Sequence, residues 1–214
     1  MRLNPESIAA LDRRYNAALI NAVTGFKPAN LIGTTDTRGH CNLAIVSSVV
    51  HLGSRPPLIG MIIRPDPVDR HTLDNILETG FYTINHVGEN FIEAAHQTAA
   101  RYSMEVSEFE AVGLTPHWDE SFLAPFVDES RIRVGLRLRE HQVLQVNGTN
   151  LVIGEIELLE LPDDCVDFDG RLDLARAGTV ALSGLDTYFT AKPVKTMAYA
   201  KPGVAPRVVD PTLR

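Results

Sequence analysis

The spacing of apolar residues changes from a helical to a strand period early in the chain. Ile8, Leu11, Tyr15, Leu19 and Ala22 recur at helical spacing. Asn4 and Pro5 suit an N-cap and a first turn, and Gly25 suits a C-terminal stop. This predicts one amphipathic helix over residues 5–24. Beyond Lys27-Pro28 the period shortens. Leu31–Asp36 reads as a strand, Thr37-Arg38-Gly39 as a tight turn, and Cys41–Leu52 as one long strand. One face of that strand carries Asn42, Ala44, Val46, Ser48 and Val50, and the other Leu43, Ile45, Ser47 and Val49. Neither face is properly polar. Such a strand is expected to be covered on both sides, by a core on one and by another layer, often a partner subunit, on the other.

Leu58–Arg64 is a further apolar strand between Pro56-Pro57 and Pro65-Asp66-Pro67. Asp69 is placed to cap a short helix over residues 70–79 that Gly80 would end. Phe81–His86 is aromatic and β-branched, hence a strand. Residues 89–100 read as a helix with Phe91, Ile92, Ala95 and Ala99 on one face, and residues 103–130 are mixed. Arg131–Val146 and Leu151–Leu161 form the clearest hairpin, with Asn147-Gly148 at its turn. The tail after Lys192 is expected to be irregular or to lie on a partner. About six or seven strands, joined mostly as hairpins, and two or three helices predict a mainly β protein. The architecture expected is an antiparallel barrel decorated by short helices, not a doubly wound sheet.

Composition narrows the function. The chain has 214 residues, the size of one domain with additions, and a formal net charge of −7. So acidic a chain has no footprint for nucleic acid or for an anionic membrane surface. No apolar run approaches ~20 residues, and the N-terminus lacks the apolar core of a secretion signal. The two cysteines, Cys41 and Cys165, make no CxxC pair and no disulfide framework. The reading is a cytoplasmic protein with reduced thiols. GxGxxG, GxxxxGK[ST], HExxH and GxSxG are all absent, and the seven histidines are scattered, so no metal site is expected.

Three segments carry candidate chemistry. The strand Asn42–Ser48 offers backbone donors and acceptors, apolar cover, and the hydroxyls of Ser47 and Ser48. A plain buried strand is the alternative. Arg70-His71-Thr72 opens the 70–79 helix, where free N–H groups and a guanidinium favour an anion. Asp69 brings negative charge to the same place, and an exposed first turn is the alternative. Thr34-Thr35 adds hydroxyls on the preceding strand, where Thr is at home in any case.

In order and spacing these segments resemble the flavin-reductase-like family of FMN-binding split barrels. The resemblance rests on Thr34-Thr35, Gly39, Asn42, Ala44, Ser47-Ser48 and Pro56-Pro57-Leu58, then Thr72, Asn75-Ile76, Thr79-Gly80, Phe81 and Asn85. Phe109, Gly113, Leu114-Thr115-Pro116 and Ile153-Gly154-Glu155-Ile156 extend it, so that it spans roughly residues 28–190. It implies a Greek-key-like split β-barrel working as a homodimer, with FMN near the subunit interface. The phosphate would meet Arg70, Thr72 and the Ser47/Ser48 region, and the ring would lie along Asn42–Val46. The residues so placed at the cofactor are Thr34, Asn42, Ala44, Ile45, Val46, Ser47, Ser48, Arg70, His71, Thr72 and Asn75. The activity implied is NAD(P)H-dependent flavin reduction, with reduced flavin passing to an oxygenase or other redox partner. Residues 1–27 would then be a helical extension, 28–190 the barrel domain and 191–214 a tail. One departure favours a second reading. Reductases of the family often carry a His just after the hairpin turn, where this chain has Thr149 and Asn150. A flavoredoxin-type carrier that takes electrons from a protein fits that departure.

Overall fold

The computed structural model describes residues 1–65 and 71–209. At the N-terminus, α1 (Pro5–Ala9) is capped by Asn4, whose Oδ1 accepts the Ser7 N–H at 2.8 Å. A second helix, α2 (Arg13–Ala22), starts afresh at Asp12, whose Oδ1 accepts the N–H groups of Arg14 and Tyr15. The single helix expected over residues 5–24 is therefore two. An aspartate that satisfies the orphan donors of a new first turn competes with helix continuation through it.

The strands that follow are β1 (Lys27–Pro28), β2 (Asn30–Thr35), β3 (Cys41–Val46), β4 (Val49–Ser54) and β5 (Pro57–Ile63). Next come α3 (His71–Thr79), β6 (Phe81–His86), a 3-10 turn at Glu89–Phe91 and α4 (Ile92–Gln97). The chain continues through α5 (Glu108–Val112), β7 (Pro116–His117), β8 (Phe126–Val127), β9 (Arg133–Val143) and β10 (Asn150–Glu160). It closes with β11 (Val180–Ser183) and β12 (Thr187–Thr190). Seven strands form one antiparallel sheet in the order β3-β2-β6-β9-β10-β5-β4. The mainly β, antiparallel expectation is met.

β3 and β4 stand at opposite edges of this sheet, yet only Ser47 and Ser48 separate them in the chain. The sheet must therefore roll until its edges meet, which makes it a barrel. The long strand expected over Cys41–Leu52 is thus two strands that pair with different neighbours, β2 and β5. Val46 and Val49 both pack on the barrel core. Three residues apart, they could not face one side of a straight strand, where facing alternates with period two. The chain turns over at the two serines, and the Ile62 N–H donates to the Ser48 carbonyl there at 2.9 Å.

Ile32, Met61, Ile76, Tyr82, Ile84, Leu136 and Val152 fill the barrel. Leu73 and Ile76 bring α3 across one end of it. A second core lies outside β2 and β3, where Leu31, Leu43, Val87, Phe109 and Leu182 meet. The layer expected on the second face of β3 is thus supplied by the same chain, from α4, α5 and β11. The outer face of β4 is different: Val50 and Leu52 stay exposed. The hairpin forms where Asn147-Gly148 predicted it. It closes through residues 144–149 rather than a two-residue turn, with the Leu144 N–H bonded to the Thr149 carbonyl and Gly148 at φ +71°. The small sheet β1-β11-β12 was not foreseen. Past Thr190 the described chain is irregular, apart from one bridge between Met197 and Val208. Among the described residues, no helix is long and apolar enough to cross a membrane.

Candidate functional site

A cavity of about 390 Å³ opens where β3 passes into β4. Ile45, Val46, Ser47, Ser48, Ile62, Ile63 and Arg64 form its barrel side. Asn21 of α2, His96 of α4, Ala99, Leu182 of β11, and Leu185 and Asp186 of the β11-β12 turn complete the lining. The strand break explains why a cavity exists here. Ile45 and Leu182 belong to or pack on the outer core, Ile63 belongs to the barrel core, and the ladder between the two is interrupted at the serines. Ile45, Ile62, Leu182 and Leu185 give apolar walls suited to a flat aromatic ring. Ser47, Ser48 and the forked donors of Arg64 suit a phosphate. Lys27 lies near Arg64: burial pulls its ammonium below the ordinary lysine range, and the Arg64 charge pulls it further. Two cations thus share this part of the protein with the Asp186 carboxylate, which also lines the cavity. On the opposite wall the Nδ1 of His96 lies 3.0 Å from the Tyr188 hydroxyl. Burial and the nearby Asp186 push that phenol up, so it keeps its proton.

The other site residues taken from the sequence gather elsewhere. The Asn42 side chain donates to the Thr72 hydroxyl at 2.9 Å, and the Asn75 side chain donates to the Thr34 hydroxyl at 3.1 Å. These two bonds tie β2 and β3 to α3, and all but Thr72 of the four are buried. Asn42, His71 and Asn75 also line a smaller cavity of about 110 Å³, together with Asp36, Asp74 and Glu78. Burial alone would raise the Asp36 carboxyl. The N–H groups of His40 and Arg38, with their side chains, outweigh it and hold Asp36 well below the usual carboxylate range. Arg38 lines this space too, paired with Asp36 at 2.9 Å, so three carboxylates share it with one guanidinium, an unfavourable balance for a phosphate. Ala44 sits between the groups, opposite Ile32, and lines neither cavity. About 13 Å of strand, at ~3.3 Å per residue, separates Asn42 from Val46. The structure therefore puts Asn42 beside Thr72 and puts Ile45–Ser48 around a different space, whereas the resemblance joins Thr72 with Ser47 and Ser48 at one phosphate. Arg70, and Asp69 before it, lie outside the described residues.

Arg64, His96 and the β11-β12 wall were not anticipated. Arg64 ends an apolar strand just before a proline, where one arginine carries no sign of its role. His96 and Leu182 come from segments far along the chain from Ser47. At the hairpin, Thr149 is buried and the His141 Nε2 lies 2.9 Å from the Asn150 Oδ1, so that imidazole is engaged with its own hairpin.

A rolled antiparallel sheet, opened at one strand junction onto a cavity with apolar walls, two serines, Arg64 and Asp186, defines a split barrel. The chain belongs to the flavin reductase-like family, whose domain model matches residues 25–175. Among solved structures it is similar to a Shewanella frigidimarina protein assigned as a flavin reductase with a split barrel domain. That match has 54% identity and a TM-score of 0.90, and covers 94% of this chain and 100% of the other. Nitrilotriacetate monooxygenase component B from Bacillus cereus shares 22% identity and a TM-score of 0.79, covering 90% and 96% of the two chains. Flavoredoxin of Desulfovibrio vulgaris shares 24% identity and a TM-score of 0.69, covering 84% and 92%. The latter two likenesses concern the fold.

Proposed function

We propose that this protein binds FMN in the cavity at the β3-β4 junction and acts as an NAD(P)H-dependent flavin reductase in the cytoplasm. The observation that carries this reading is the cavity itself: apolar walls beside Ser47, Ser48 and Arg64, all meeting at the break in the barrel. The ring would lie against Ile45, Val46 and Ile62, with the phosphate toward the serines and Arg64. Bound flavin supplies the hydride chemistry, and the chain supplies orientation, donors and water exclusion. No side chain need act as a general acid or base, in keeping with the absence of a catalytic motif. Thr34, Asn42, Thr72 and Asn75 have a supporting part, since they fix α3 on the barrel end from which the chain leaves Arg64. His71, beside them, belongs to the same support.

A homodimer fits the same surface. Val50 is 53% exposed and Leu52 46% exposed, on a strand continuous with Ser48 at the cavity. A second subunit laid on β4 would cover both and wall the flavin from solvent. Residues 28–190 would form the working domain, and reduced flavin would pass to an oxygenase component or another redox protein. The second reading is a flavoredoxin-type carrier that ignores nicotinamide nucleotides, and Thr149 at the hairpin favours it. Mixing the purified protein with FMN and either NADH or NADPH, and following the nicotinamide absorbance, separates the two. Steady oxidation supports the reductase. A yellow protein inert to both nucleotides supports the carrier. A protein that takes up no FMN overturns both.

A further inference from the structure

We propose that residues 192–209 form an arm that docks on a second copy of this chain. The proposal rests on the homodimer reading above. The segment lies past the family-matched residues and has a shape of its own. The Ala198 N–H bonds the Arg207 carbonyl at 2.9 Å, and the Val209 N–H bonds the Thr196 carbonyl at 2.8 Å, so a short ribbon closes around Met197 and Val208. Val209 is buried, which anchors its far end. The chain leading into the ribbon and its first arm stand free: Val194 is 90% exposed and Tyr199 92% exposed.

Its charge says what it fits. Lys192, Lys195, Lys201 and Arg207 are all exposed, and no Asp or Glu occurs from Thr187 to Val209, in a chain whose net charge is −7. None of the four pairs with a carboxylate among the described residues, whereas Arg131, Arg133, Arg139 and Arg171 all do. The body of the chain holds the complement: Glu93, Glu105, Glu110 and Glu120 are exposed carboxylates. A cationic, partly apolar ribbon that leaves its own acidic body unpaired is complementary to the same body in a second copy. That body also offers the uncovered apolar face at Val50 and Leu52. Reciprocal exchange of two arms satisfies both copies alike, as a two-fold interface requires.

Sedimentation of dilution series at low and at high salt tests this, with the intact chain, the full-length variant K192E/K195E/K201E/R207E, and Tyr199→Ser. The charge variant is expected to raise the dimer dissociation constant at least tenfold at low salt. The gap should narrow near 1 M salt, where screening extends to about 3 Å. Tyr199→Ser is expected to weaken the dimer at both salts, because apolar burial is not screened. Variants that dimerise as tightly as the parent overturn the arm proposal and leave the dimer reading standing. A parent chain that stays monomeric at every concentration overturns the dimer reading itself, and the arm with it.

Discussion

Arg64→Ala isolates the anchor proposed for the cofactor's anionic end. Arg64 follows the last residue of β5, lines the cavity beside Ser47 and Ser48, and is solvent-exposed. A hydrogen bond to a charged group contributes ~1.5–3 kcal/mol net, and exposure to solvent favours the lower end. The Ser47 and Ser48 hydroxyls and the nearby Lys27 remain in the variant. A loss of about 1.5 kcal/mol is therefore expected, which is roughly tenfold in the FMN dissociation constant. Riboflavin lacks the phosphate, so its affinity should not change. Arg64→Lys should recover part of the loss, since it restores the charge without the planar fork. The assay is quenching of flavin fluorescence on titration with protein, FMN against riboflavin, at two salt concentrations. If the two flavins lose affinity equally, Arg64 shapes the cavity rather than binding phosphate. If neither changes, the phosphate lies elsewhere.

Three further outcomes follow from the packing. The Tyr82 hydroxyl is buried in the barrel without a hydrogen-bond partner among the described residues, so Tyr82→Phe should stabilise the protein by ~1 kcal/mol and raise Tm by about 2–4 °C; a lower Tm would reveal a partner for that hydroxyl. Glu108 is buried and accepts the Leu43 N–H at 2.9 Å, and burial raises its carboxyl. A carboxyl raised in the folded state lends stability that is complete below its unfolded value and is lost as pH climbs through the folded one. Glu108→Gln keeps an acceptor and removes the charge, so it should melt above the parent at pH 7, with the gap closing toward pH 4. A variant that melts below the parent at pH 7, yet matches it at pH 4, would reverse that sign. Asn42→Leu removes the bond to the half-buried Thr72 hydroxyl and should cost ~0.5–1.5 kcal/mol in urea unfolding while leaving FMN affinity within about threefold; a collapse of affinity in a stable variant would place the flavin at α3 instead.

The parts of the fold legible in the sequence are those where one local signal was enough. Phe81–His86 is bounded by Gly80 and rich in aromatic and β-branched residues, and it forms the strand expected. The hairpin follows Asn147-Gly148 because that pair tolerates a turn's backbone. The break at Asp12 was hidden because apolar spacing runs unchanged from Ile8 to Leu19 on either side of it. The turn-over at Ser47-Ser48 was hidden for a related reason: a strand apolar on both faces looks the same whether its facing is kept or reversed. β1, β11 and β12 are too short to announce themselves, with two to four residues each. At the candidate cavity, the lining by Ile45–Ser48 was legible from hydroxyls beside apolar residues. Arg64 and His96 were not, since a strand-terminal arginine and a lone helical histidine become informative only when folding brings them to the same wall.

The site residues read from the sequence gather in two places, and a crystal structure of the protein with FMN decides between them. Density is expected in the larger cavity, with the ring between Ile45 and Leu185 and the phosphate within hydrogen-bond reach of Arg64 and Ser48. Density against His71 and Asn42, at the α3 end of the barrel, would contradict it.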